Sequence, residues 1–145
     1  MAVLKINRGA QWPLVAEFTL NFDDTMADIN GASKDFGLTN VAETAFDIIN
    51  LPYGAVVVGG DVSVETAFDT ASWSVKVGDA TTADRYLGAT DRKAVGRTAL
   101  VPTGFVSDGS SLRLTLTNAD VCTTGKATVR VTYTIRNRTN EVQPN

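Results

Sequence analysis

Ala127-Thr128-Val129-Arg130-Val131-Thr132-Tyr133-Thr134-Ile135 alternates without a break: the odd positions are apolar and the even positions are threonine or arginine. Successive side chains of an extended chain point to opposite faces. This segment therefore predicts a strand with one face in a core and one in water. The same period runs through Trp12, Leu14, Ala16, Phe18, Leu20 and Phe22, with Glu17, Thr19 and Asn21 between them, until Asp23-Asp24 ends it. Leu112, Leu114 and Leu116 alternate with Arg113, Thr115 and Thr117 in the same way. A repeat of two, not the helical 3.6, governs the chain.

Between these segments lie less regular strand candidates: Thr44–Leu51, Ala55–Phe68, Trp73–Val77, Arg85–Leu87 and Arg97–Val101. In the second, Val56, Val58, Val62, Val64 and Phe68 share a parity, and Gly59-Gly60 sits among them as the mark of a bulge or a corner between sheets. Turn residues punctuate the chain at Pro52-Tyr53-Gly54, Gly78-Asp79, Pro102-Thr103-Gly104, Asp108-Gly109 and Thr124-Gly125. Helical periodicity is confined to one turn at most, Asp79–Thr82 into Arg85. About eight strands at this spacing predict an all-β fold, an antiparallel β-sandwich of jelly-roll-like type. A chain of 145 residues suits a single domain, 1–145, with an N-terminal arm at 1–11 and a C-terminal tail at 137–145. Asp24–Gly37, a mixture of Asp, Asn, Gly, Ser and Lys, reads as a long loop of the kind that contacts partners.

Composition removes several kinds of chemistry. The chain has no histidine, which eliminates the commonest general base, the commonest zinc ligand and the Ser-His-Asp triad together. Cys122 is the sole cysteine, so there is no intrachain disulfide and no multi-cysteine metal site. A formal charge of −3 disfavours nucleic acid as a partner, because phosphate neutralisation calls for a basic face. Met1–Pro13 lacks the apolar run of a signal peptide, and the aliphatic run Ala55–Val58 is far short of the ~20 residues of a membrane helix. The expectation is synthesis in a cytoplasm and no membrane partner.

The remaining candidates are few. Asp23, Asp24 and Asp28, with Asn30 and Gly31, offer oxygen ligands for a hard cation, but lack the spacing of an EF-hand loop, and side chains capping turns explain them as well. Glu17 and Glu65 fall on outward faces with nothing to pair them as a glycosidase needs. Val58-Gly59-Gly60-Asp61 and Val95-Gly96-Arg97-Thr98 match no phosphate-binding motif. Cys122 has Lys126 as its nearest cationic residue and reads as an inert thiol. Trp12 and Trp73 are in register with apolar strand residues and read as core, against the alternative of a sugar-stacking platform. Asn137-Arg138-Thr139 fits a glycosylation acceptor only in a secreted chain. No catalytic residue, metal, cofactor or small-molecule substrate is expected.

The stretch Val77-Gly78-Asp79, Asp84-Arg85-Tyr86-Leu87, Asp91-Arg92-Lys93, Gly96-Arg97-Thr98-Ala99-Leu100, Thr103-Gly104 has a recognisable character. So does the ending Gly125-Lys126, Val129-Arg130-Val131-Thr132-Tyr133 and Arg136-Asn137-Arg138-Thr139-Asn140-Glu141-Val142. From Val75 onward the chain resembles small structural proteins of tailed phages and prophages, among them the jelly-roll capsid cement, or decoration, proteins. The resemblance implies a jelly-roll fold, self-association as dimers or trimers, binding to the major capsid protein on the outside of the virion, and no catalytic residues. The expected function is a capsid decoration protein that bridges capsid subunits. The alternative is a receptor- or glycan-binding domain of a phage fibre. The expected contact residues are Asp28, Asn30 and Lys34 in the long loop, Arg130 and Arg136 on the last strand, and Arg138 and Glu141 in the tail.

Overall fold

The computed structural model describes residues 12–136. Among these residues ten strands form in chain order: β1 (Leu14–Asn21), β2 (Thr25–Ala27), β3 (Ser33–Asp35), β4 (Thr44–Ile49), β5 (Ala55–Thr66), β6 (Trp73–Gly78), β7 (Leu87–Asp91), β8 (Gly96–Ala99), β9 (Leu112–Asn118) and β10 (Lys126–Ile135). Among the described residues there is no helix.

Eight of the strands make two four-stranded antiparallel sheets, ordered β1-β10-β5-β8 and β4-β9-β6-β7. The first and last strands are neighbours, and the chain crosses repeatedly from one sheet to the other, a jelly-roll-like order. β2 and β3 form a separate hairpin inside the stretch expected to be a long loop, pairing Met26 with Lys34. Its turn is built by Asp28, whose carboxylate accepts the backbone N–H groups of Asn30 and Ala32 at 2.8 and 2.9 Å. The polar composition of 24–37 thus encodes tight turns rather than irregular chain.

The alternation places the core. Ala127, Val129 and Val131 on β10, Leu112, Leu114 and Leu116 on β9, and Trp73, Val75 and Val77 on β6 are all fully buried. Each large aliphatic side chain so buried contributes roughly 1.5–3 kcal/mol. Phe68 stacks on Trp73 with ring centroids 3.9 Å apart, and Phe36 packs against Phe46 at 4.5 Å. Gly125 lies against the first of these pairs. A Cβ there would sit 2.1 Å from the Phe68 ring, and its φ of +151° is one that other residues rarely adopt.

The structure corrects two expectations about the core. Trp12 is 85% exposed and precedes the strand, which begins at Leu14, so the apolar parity of β1 ends before it reaches the tryptophan. In β5 the buried positions switch from Ala55 and Val57 to Val62 and Val64. Thr132 pairs with Gly59 but Tyr133 pairs with Val57, so Val58 is an extra residue and every side chain changes face across it. Val58 is therefore exposed, not core. The bulge turns no corner, for β5 stays against β10 from Ala55 to Thr66. Gly60 is required beside it, because a Cβ would meet the Arg130 carbonyl oxygen at 2.3 Å.

Candidate functional site

The polar parity of β1, β10, β5 and β8 forms the outer face of the first sheet. Pairing sets Glu17 opposite Arg130 and Arg130 opposite Asp61. Arg130 Nε donates to Glu17 Oε1 at 2.8 Å, and its Nη1 lies 3.8 Å from Asp61 Oδ1. Arg97, on β8, donates from Nε to the other Asp61 oxygen. One residue from each strand thus joins a row with charges −, +, −, +. Asp61 is the foundation: its side chain is only 6% exposed, while those of Glu17, Arg130 and Arg97 reach solvent. A second row lies beside it, in which Lys126 meets Glu65 at 3.1 Å and Thr128 bonds both Glu65 and Thr19.

These contacts define the electrostatics. The Lys126 ammonium, with the Thr128 hydroxyl, holds Glu65 below the usual carboxylate range, the opposite of the raised value a general acid uses. Glu17 is likewise committed to Arg130. Burial pushes the Cys122 thiol up, and its sulfur is enclosed by Asn118 and Gly37. A sulfur so placed is a packing group. Asp24 accepts from the Asn21 backbone N–H, and Asp28 caps the hairpin turn. Among the described residues, no three His, Cys, Asp or Glu side chains gather as a metal site.

The structure separates the expected contact residues into two ends. Asp28, Asn30 and Lys34 lie on the β2–β3 hairpin, which follows the end of β1 at Asn21. Arg136 lies at the opposite end, where the start of β1 pairs with the end of β10 through Leu14 and Tyr133. The length of β1, about 24 Å at 3.4 Å per residue, divides the groups. Arg130 sits between them on the outer face. Arg138 and Glu141, like the arms at 1–11 and 137–145, are outside the described residues. At the Arg136 end, Tyr53, Gly54 and Val106 line a shallow hollow beside Arg136. Asp61 and Arg97 were weighed in the sequence only within stretches that match no phosphate-binding motif, not as members of a charged face. The outward parity of Glu17 and Arg130 was a legible signal of a charged face, but its other members depended on the register.

The described residues thus form an antiparallel sandwich with a charge-paired outer sheet face and a separate hairpin. No protein-family model matches the chain, and no curated protein matches it. Among solved structures, it is similar to a chain of the cyanophage Pam1 capsid asymmetric unit, with 24% identity, a TM-score of 0.59 and coverage of 92% of this chain and 91% of that one. It is also similar to a chain of the acidic stable capsid structure of Helicobacter pylori bacteriophage KHP30, at 21% identity and TM-score 0.55, covering 83% and 86% of the two chains. A chain of the Ralstonia phage GP4 capsid shares 12% identity at TM-score 0.51, with 93% and 91% covered. The likeness is one of fold, and it extends over nearly the whole of each chain.

Proposed function

We propose that this protein is a virion structural protein: a decoration or cement protein on the exterior of a tailed-phage capsid, made in the bacterial host cytoplasm. In this reading it self-associates and bridges neighbouring major capsid protein subunits, with no catalytic role and with no nucleic acid, membrane or small molecule as partner. The observation that carries the reading is the shared fold over 92% of this chain and 91% of a chain in the Pam1 capsid. The surface supports it. Carboxylates that an enzyme would leave poised are held by arginine and lysine, while the hairpin, sheet face and terminal edges offer dispersed contacts. Patches of this kind bind weakly one at a time and firmly when a closed shell repeats them.

The test compares purified particles with and without this protein by cryo-electron microscopy, followed by add-back of the purified chain. The expected result is external density bridging capsid subunits that disappears in its absence and returns on addition. Identical shells and no binding on add-back overturn the reading. The exposed Trp12 is the observation favouring the fibre-domain alternative. Quenching of its fluorescence by host-surface glycans, with no binding to capsids, selects that alternative.

A further inference from the structure

We propose that the outer face of the first sheet is a self-complementary interface on which a second copy of this chain sits face to face. The inference rests on the self-association within the proposed function and names the surface responsible. The argument begins with the order of charges across the sheet: Glu17 on β1, Arg130 on β10, Asp61 on β5 and Arg97 on β8. This −, +, −, + order reverses sign when read backwards. A twofold axis lying along the strands, between β10 and β5, places β1 over the partner's β8 and β10 over its β5. Glu17, whose rung on β8 is that of Ala99, then comes over the second copy's Arg97 guanidinium, which reaches back from the next rung to Asp61, and Arg130 comes over the second copy's nearly buried Asp61. The neighbouring row obeys the same rule, since Lys126 on β10 would face Glu65 on β5.

Three features make the match more than a pattern of signs. The arginines are already in place, because Asp61, nearly buried, anchors Arg97 and approaches Arg130, so less side-chain entropy is lost on docking. Arg97 and Arg130 each make their hydrogen bond through Nε, and Arg130 approaches Asp61 through Nη1, which leaves the Arg97 outer nitrogens and Arg130 Nη2 for a partner carboxylate. Val15 and Val58 are exposed on this face and add apolar area, Val58 because the bulge turns it outward. Four strands at about 4.8 Å and eight residues at about 3.4 Å give a footprint of roughly 500 Å² per partner, at the low end of specific interfaces. The dimer is accordingly weak in dilute solution and strengthened where a shell holds two copies close.

The test uses two charge reversals in the full-length chain, Arg97→Glu and Glu17→Arg, with sedimentation velocity as the readout. Wild type should dimerise, with a Kd that rises with salt. Each variant alone meets two like-charge contacts across the axis and should dimerise at least on the order of tenfold more weakly. Mixed one to one, the variants restore opposite charges at both positions and should form a heterodimer of near wild-type affinity, which also shows that both are folded. A monomeric wild type, variants that dimerise normally, or folded variants that fail to rescue each other overturn the proposal. Should a reversal misfold by circular dichroism, Arg97→Gln and Glu17→Gln replace them, and undiminished dimerisation of both overturns it. Capsid add-back separates the two readings. A monomer that decorates capsids refutes this interface alone, and a face-to-face dimer that ignores capsids refutes the virion role alone.

Discussion

The indole Nε1 of Trp73 donates a hydrogen bond to the carbonyl oxygen of Phe36 at 3.0 Å, and both residues are buried. This bond ties β6 of the second sheet to the segment that follows the β2–β3 hairpin. Phe36 in turn contacts Phe18 of the first sheet and Phe46 of the second. The hairpin is thereby fastened to the core. Replacing Trp73 by Phe leaves a buried carbonyl without its donor and a cavity beside Phe68. The expected loss is about 2–4 kcal/mol in urea unfolding. A loss under about 0.5 kcal/mol would mean the bond contributes nothing.

Gly125→Ala should cost about 3 kcal/mol or more, combining an unfavourable φ with overlap of the Phe68 ring. Gly88→Ala serves as the control. Its Cβ meets nothing within 4 Å, and its stability should change by no more than about 0.5 kcal/mol. Thermal unfolding of the two variants side by side makes the comparison.

Acid should destabilise the fold. Burial draws the pKa of Asp35 upward, but the Thr39 hydroxyl and the backbone N–H groups of Asn40, Thr39 and Gly37 outweigh it and hold the group below its ordinary value. For Asp69, the Thr123 hydroxyl and the N–H groups of Thr123 and Thr124 lower it to about 2. Groups depressed in the folded state stabilise it above their unfolded pKa, near 4, and lose that contribution as pH falls through the folded value. Stability should therefore be level at neutral pH and decline between about pH 4 and pH 2. Asp35→Asn should lower stability at pH 7 by about 1–3 kcal/mol and flatten the acid slope. An unchanged slope in that variant would show that Asp35 is not responsible.

Cys122 should react with thiol reagents only when the chain unfolds. It is 1% exposed, burial raises its pKa, and its backbone N–H is bonded to the Gly37 carbonyl at 2.8 Å. The labelling rate should follow the global unfolding equilibrium as urea is added. Rapid labelling in buffer would reveal local opening of the segment around Cys122.

A fragment of residues 12–136 should retain the fold, because the two sheets and their core lie within it. It should bind capsids on the order of tenfold or more weakly than the whole chain, if the terminal segments supply part of a multivalent contact. The described residues begin at Trp12 and end at Arg136, both close in sequence to the Leu14–Tyr133 pair at one end of the sheet. Undiminished occupancy by the fragment would assign the contact to the hairpin and sheet face.

The strand character of β1, β9 and β10 was legible in the sequence because alternation is a local property: each residue's face follows from its neighbours'. The absence of histidine likewise removed imidazole chemistry before any fold was known. The parity of β5 was misread. Val56 and Val58 look like core residues until Val58 is left unmatched against β10, and a bulge is a property of a strand pair. Trp12 was misread for a related reason, since periodicity does not say where the partner strand stops. The hairpin at Thr25–Asp35 was hidden by turn residues that resemble loop composition. The charge row shows the division most clearly. Glu17, Asp61, Arg97 and Arg130 are separated by dozens of residues, and only the strand order and register bring them onto one face. Periodicity is encoded between adjacent residues, whereas the company a side chain keeps is decided by which distant strand pairs beside it.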